Sequence, residues 1–191
     1  PYMAMDLNLA NDFIRPLMSQ FAVILLFFIP ALTMRSFSEE KRNGTLELML
    51  TYPVRDWDAI LGKFLASFLT MSFIVVLTLP YPAMLFLWGS PEFAPIVTSY
   101  LGILAMIAVF TAIGTFASSM TENQIISALI AFGLNLVFWM IGWTSITQSG
   151  LLHDILQYLS IIEHFEPMIK GIFRLTDVTY FASLTVFFLY L

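Results

Sequence analysis

The chain has 191 residues, of which 59% are apolar and only 11% charged, with a mean hydropathy of +0.87. Soluble chains carry about 25% charged residues, so this composition excludes a soluble domain. The net charge of −5 offers no basic surface for nucleic acid, and the absence of cysteine removes disulfides and thiolate metal sites.

Residue 1 is a proline, and no basic leader precedes an apolar core, so no signal peptide is expected. A membrane span needs about 20 mostly apolar residues. The first candidate is 13–34, bounded by Arg15 and Arg35. After it comes the only charge-dense insert, SEEKRNGTLELMLTYPV at 38–54. Glu39 and Glu40 follow the span, and Asn43-Gly44 can stop a helix with a left-handed residue. Thr45 then suits an N-cap, with Glu47 favourable in the first turn. Leu46, Leu48, Met49 and Leu50 make a very short apolar helix, ended by Tyr52-Pro53 because the residue before proline resists the helical region. Asp56 can cap the next helix, with Asp58 in its first turn. The insert therefore reads as helix, turn, short transverse helix, turn, helix.

The second span, 60–88, is long enough to tilt or break, and Pro80-Tyr81-Pro82 removes two backbone donors near its end. A bend there and a gate hinge are both open. The third span, 100–117, carries Ala105, Ala108, Ala112, Thr115 and Ser119 at helical spacing, a small-residue stripe that lets helices approach closely. It can pack within the chain or against a second copy. The fourth span, 125–144, holds Asn135, whose amide must face protein or water because hydrocarbon cannot satisfy it. Ser127 and Ala131 share its face. Asn135 is either glue between helices or part of a translocation path.

Residues 153–166 repeat apolar side chains at helical spacing, with His153, Gln157, Ser160 and His164 on the other face. The expectation is an amphipathic interfacial or re-entrant helix with a wet face, broken at Pro167 and followed by a shorter apolar piece through Phe173. A fifth span begins near Thr179, and its visible apolar run is too short to cross. A metal hydrolase would want two imidazoles one turn apart, as in HExxH, whereas His153 and His164 are eleven residues apart. No glycine-rich phosphate loop is present for nucleotide.

Five of the eight basic residues (Arg35, Lys41, Arg42, Arg55 and Lys63) lie at 35–63, which puts that region in the cytoplasm. Apart from Arg15 and Lys63 at their ends, the four complete spans carry no Asp, Glu, Lys or Arg, which argues against an ion-driven carrier and for an energy source outside the membrane. Composition and pattern thus define an all-α integral membrane bundle, a single domain over 1–191 with four complete spans and one truncated. A further span ahead of residue 1 and the end of the last are expected to complete it.

EEKRNGTLELMLTYPV at 39–54, followed by LGKFLA at 61–66, resembles permease subunits of type-2 ABC exporters. Within that class it is most similar to permeases of gliding motility and of nitrous-oxide-reductase maturation. The resemblance implies a six-span subunit of the cytoplasmic (inner) membrane, surrounded by lipid. It would pair with a second permease copy, identical or not, and sit on two ATPase subunits. ATP and magnesium would bind in those partners; no cofactor is implied in this chain. The resemblance places Glu39, Glu40, Lys41 and Arg42 at the cytoplasmic end of a span. Gly44 leads into a coupling helix formed by Thr45, Leu46, Glu47, Leu48, Met49 and Leu50, and residues 61–64 open the returning helix. The outer amphipathic segment would cap the exit. Two readings compete with transport: a membrane anchor that recruits an ATPase without moving a substrate, and an intramembrane metal enzyme using His153 and His164.

Overall fold

The computed structural model describes residues 14–45, 56–88, 92–144 and 151–191, and among these every regular element is helical. Four helical stretches are long and apolar enough to cross a membrane: Arg15–Arg42, Trp57–Met84, Phe93–Met120 and Gln124–Gly142.

Helix α1 (Arg15–Thr33) starts with Pro16, tolerated there because the first turn leaves its N–H groups unpaired anyway. Met18, Ala22, Leu25, Ile29 and Thr33 recur every three or four residues and are buried, while Val23, Ile24, Phe27 and Phe28 face outward. In water that outer face would be a liability; against lipid it is a match. After a turn comes α2 (Ser38–Arg42).

Helix α3 (Asp56–Val76) includes Asp56 as a helical residue rather than a cap ahead of it. The expected second span tightens instead of ending abruptly. Thr78, Leu79 and Tyr81 donate to Val75, Val76 and Thr78, three residues back, before α4 (Pro80–Trp88) resumes. Pro80 and Pro82 lack the N–H that four-residue bonds require there, so the backbone narrows to a three-residue pattern. This favours a bend.

Helix α5 (Phe93–Met120) is the hub, packed by α1, α3 and α6 (Gln124–Thr144), and by α8 (Ile161–Ile169) and α9 (Leu175–Tyr190). It runs well beyond the expected 100–117. Pro95 lies in its first turn, and the Thr98 and Ser99 hydroxyls donate to carbonyls at Ala94 and Pro95, so these polar residues stay compatible with a buried helix. Ile103, Met106, Ile107, Val109, Phe110, Ala112 and Ile113 are all fully buried. The small-residue stripe packs inside the chain in part. Ala105 and Ala108 line a groove between α3 and α9, with Phe64, Phe68, Phe181 and Thr185 beside them.

Helices α1 and α5 approach closely at Gly114. A Cβ on Gly114 would lie 2.1 Å from Thr33 Oγ1 and 2.8 Å from Thr33 Cβ, so only glycine lets the two backbones meet. Helix association in lipid depends on such close packing, because lipid tails remove the hydrophobic drive.

The segment after α6 departs from expectation. Helix α7 (Leu151–Leu159) ends at Ser160, whose backbone is extended (φ −76°, ψ 123°), and α8 begins there. Pro167 does not break the helix; it lies within α8, two residues before its last residue, Ile169. Ser160 Oγ accepts from the Glu163 N–H at 3.4 Å, so the break is a helix N-cap. The Ser160–Glu163 spacing is the capping-box pattern. Helix α9 starts at Leu175, four residues ahead of the expected Thr179.

Candidate functional site

The polar insert is held at its entry by a clamp built from three helices. α1 ends and α2 begins within four residues, so unpaired carbonyls and N–H groups crowd this turn. Phe37, the residue ahead of α2, has no side-chain cap of its own. Ser118 of α5 supplies one from 80 residues away. Its Oγ accepts from Phe37 N–H at 2.8 Å and Ser38 N–H at 3.1 Å, and lies 3.2 Å from the Met34 carbonyl, to which it donates. One hydroxyl thereby closes the end of α1 and the start of α2, and Phe37, Ser38 and Ser118 are all buried.

Two lysines complete the clamp. Lys41 Nζ donates to the Ser119 carbonyl at the end of α5. Lys63, about two turns into α3, donates to the Ser36 carbonyl, pairs with Glu40 at 2.5 Å and sits 4.2 Å above the Phe37 ring. The Glu40–Lys63 pair bridges residues on either side of 46–55 in sequence, so both arms of the insert are tied to one platform. The pair lies at the edge of the bundle, its side chains 19% and 32% exposed, and pairs near the surface are worth about 1 kcal/mol or less in stability. Its role is to set geometry.

The exit from α2 follows the sequence. Gly44 takes φ +67°, with Asn43 N–H donating to Glu39 O at 3.0 Å and Gly44 N–H to Lys41 O at 3.2 Å. A left-handed residue at that point reverses the chain, and a side chain would strain it. Thr45 Oγ1 turns back to the Glu40 carbonyl at 3.3 Å. Glu39, Arg42, Gly44 and Thr45 are exposed. The remaining expected contact residues, Leu46, Glu47, Leu48 and Leu50, lie outside the described residues, as does the expected short helix they would form.

Asn135 is fully buried in α6, and neither amide atom has a hydrogen-bond partner among the described residues. It is not part of the clamp. Ser127 Oγ, two turns away on the same face, is likewise buried and unpartnered.

The expected wet face of the 153–166 segment is corrected at two positions. Ser160 and His164 are buried, His164 in contact with Asp177 of α9 at 2.8 Å. The amphipathic pattern distinguishes polar from apolar faces, but it does not say whether a polar side chain meets water or a partner. Among the described residues no group of three or more His, Cys, Asp or Glu comes together as a metal site. The His153 side chain lies outside the described ones.

Sequence reasoning missed Ser118 and Asp177, saw Ser119 only in the small-residue stripe, and saw Lys63 only as a basic residue opening the returning helix. The Ser118–Ser119 pair sits where the small-residue stripe meets a polar turn, the only available hint. Asp177 had a signal in its position in the first turn of α9.

These features define a multi-pass helical membrane protein with a polar platform at one end of its central helix. Residues 3–191 match the family described as "ABC-2 family transporter protein", and the chain belongs to that family. Members are membrane subunits of ABC transporters that work with an ABC ATPase, rather than enzymes. No curated protein and no solved structure match the chain.

Proposed function

We propose that the chain is the permease half of an ATP-driven exporter of the cytoplasmic membrane, with residues 35–63 facing the cytoplasm and 45–50 docking on the ATPase. The observation that carries this reading is the clamp. Gly44 turns the insert out of α2, while Ser118, Lys41 and Lys63 fasten its base to α1, α3 and α5 at once. A push on a short helix rooted there reaches three spanning helices together. ATP-driven closure of the partner would rock those helices between two access states. The resemblance to gliding-motility and nitrous-oxide-reductase-maturation permeases is the narrowest form of the reading, and a second permease copy belongs to it.

In this mechanism Leu46, Leu48 and Leu50 offer a compact apolar contact, and Glu39, Glu40, Arg42 and Glu47 fix its register. In the reconstituted complex with its ATPase, Leu48→Asp is expected to lower substrate-coupled ATP hydrolysis at least about tenfold, the equivalent of about 1.4 kcal/mol. Unchanged hydrolysis by that variant removes the docking assignment. An anchor that moves no substrate would bind the ATPase equally well, so stimulation of hydrolysis by cargo separates the two roles.

Asn135 is the one carboxamide we place on a translocation path, supported by its two unpartnered amide atoms. Replacing an unsatisfied buried amide with an apolar group of similar size is close to neutral for stability. Asn135→Leu is therefore expected to keep its melting temperature and lose transport. Transport at the wild-type rate assigns the residue to packing.

A further inference from the structure

A second buried polar cluster lies where α7, α8 and the start of α9 meet. It is far from the clamp: Gly102, which α8 covers through Phe165 and Met168, is sixteen residues from Ser118 along α5. At 1.5 Å per residue that is about 24 Å. At its centre His164 and Asp177 are only 8% and 3% exposed. His164 Nδ1 lies 2.8 Å from Asp177 Oδ1, and Nε2 lies 3.1 Å from the backbone oxygen of Tyr158.

Both ring nitrogens thus face oxygen. The Tyr158 carbonyl can only accept, so Nε2 carries a hydrogen. Between Nδ1 and Asp177 there must then be one more proton, on the ring or on the carboxyl. An imidazolium beside a carboxylate and a neutral imidazole beside a carboxylic acid contain the same number of protons. The geometry fixes the count whichever atom holds it. Removing one proton sets a nitrogen lone pair against an oxygen lone pair, either at Asp177 or at Tyr158, and leaves a net negative charge buried. Asp177 Oδ2 makes this worse, being buried with no hydrogen-bond partner among the described residues.

From this we infer that the His164–Asp177 pair is a proton-binding site, and that the bound proton fastens the α7–α8 segment to α9. The contacts span all three helices. Tyr158 belongs to α7, His164 to α8 and Asp177 to α9, while Tyr180 Oη donates across from α9 to the Leu159 carbonyl at 2.6 Å. The Tyr180 ring stacks on the imidazole at 4.0 Å between centroids, and the Tyr158 ring meets it edge-on at 5.5 Å.

Few other charges compete for this proton. Among the described side chains of α7, which do not include His153, Tyr158 is in contact and Asp154 is exposed. From α9 come Asp177 and Tyr180, with exposed Arg174 just ahead of the helix. On α8 itself Glu163 and Glu166 are exposed, near Gln157 and paired with Lys170 respectively. Helix α6 carries no titratable residue. The only one in α5, Tyr100, bonds to Thr78.

The test is thermal unfolding of the purified full chain across pH for wild type, His164→Gln and Asp177→Asn. A proton bound by the native state and absent from the unfolded one stabilises while it is bound, and that stability is lost as pH rises. The wild-type melting temperature is expected to fall with rising pH. In His164→Gln the fall should vanish, and in Asp177→Asn, without the carboxylate, it should move to lower pH. Equal slopes in wild type and His164→Gln overturn the proposal. Nitrogen-15 NMR of histidine-labelled wild type tests it without reliance on either variant's folding, since the chain has two histidines and His153→Gln assigns them. No ring nitrogen of His164 is expected to lack both proton and hydrogen bond near neutral pH; one bare nitrogen in the folded protein contradicts the site.

Discussion

Ser118→Ala is expected to loosen the polar insert's hold on the bundle while leaving the helices themselves intact. Alanine removes the acceptor for the Phe37 and Ser38 N–H groups and the donor for the Met34 carbonyl. All are in a buried turn, and α2 has no other N-terminal cap. Each buried donor left without a partner costs roughly 1–3 kcal/mol. A drop in melting temperature of several degrees should follow. The functional consequence is larger than the thermal one, because this one hydroxyl touches the end of α1, the start of α2 and α5 together. Coupled ATP hydrolysis in the assembled complex should fall at least about tenfold, the equivalent of about 1.4 kcal/mol. Ser118→Thr keeps the hydroxyl and should recover most of both properties. Wild-type turnover in Ser118→Ala would show that force reaches the spans by another route.

The second large effect is expected at Gly114. The position lies inside a helix, six residues from its end at Met120, where glycine has no helical advantage over alanine. Its value is the absence of a side chain. Even a methyl group would lie 2.1 Å from Thr33 Oγ1 and 3.1 Å from Cγ2, and Thr33 cannot swing away freely because its hydroxyl is bonded to the Ile29 carbonyl at 2.8 Å. Overpacking of this kind costs about 1–3 kcal/mol for small insertions. Gly114→Leu should therefore fail to yield folded protein. Gly114→Ala should yield a protein of visibly lower melting temperature. Thr33→Gly opens the space and should restore part of the loss in the double variant, giving a coupling energy of about 0.5–3 kcal/mol. Simple additivity of the two changes would mean that the helices do not meet there.

The parts legible in the sequence were those governed by local rules. The length of an apolar run gave α1 its span, and Asn43-Gly44 marked the end of α2 because only glycine takes a left-handed turn without strain. The double proline announced a change of helix near 80. Where two local signals competed, the weaker-looking one won. Ser160–Glu163 satisfied a helix N-terminus through a hydrogen bond, whereas Pro167 could be absorbed near the end of a nine-residue helix. The length of α5 was hidden by Pro95, Thr98 and Ser99, which look like loop residues until their hydroxyls are seen bonding back to the helix.

The candidate site was legible in its chain segment but not in its support. The charge-dense insert was evident from composition alone. Its attachment depends on Ser118, about 80 residues downstream, and on a Glu40–Lys63 pair that spans the whole insert. No local pattern encodes such pairings; packing of α5 against α1 and α3 creates them. Asp177 and His164 illustrate the same limit at the other end, since amphipathicity classed His164 as a polar-face residue and tertiary packing supplied its partner.

The claim on which the account turns is that residues 45–50 hold the ATPase. A pull-down from detergent-solubilised membranes, comparing wild type with the Glu47→Lys, Leu48→Asp double variant, tests it most directly. The account predicts that wild type recovers a nucleotide-binding ATPase and the double variant, recovered in equal amount, does not. Equal recovery of that ATPase by both, or by neither, contradicts it.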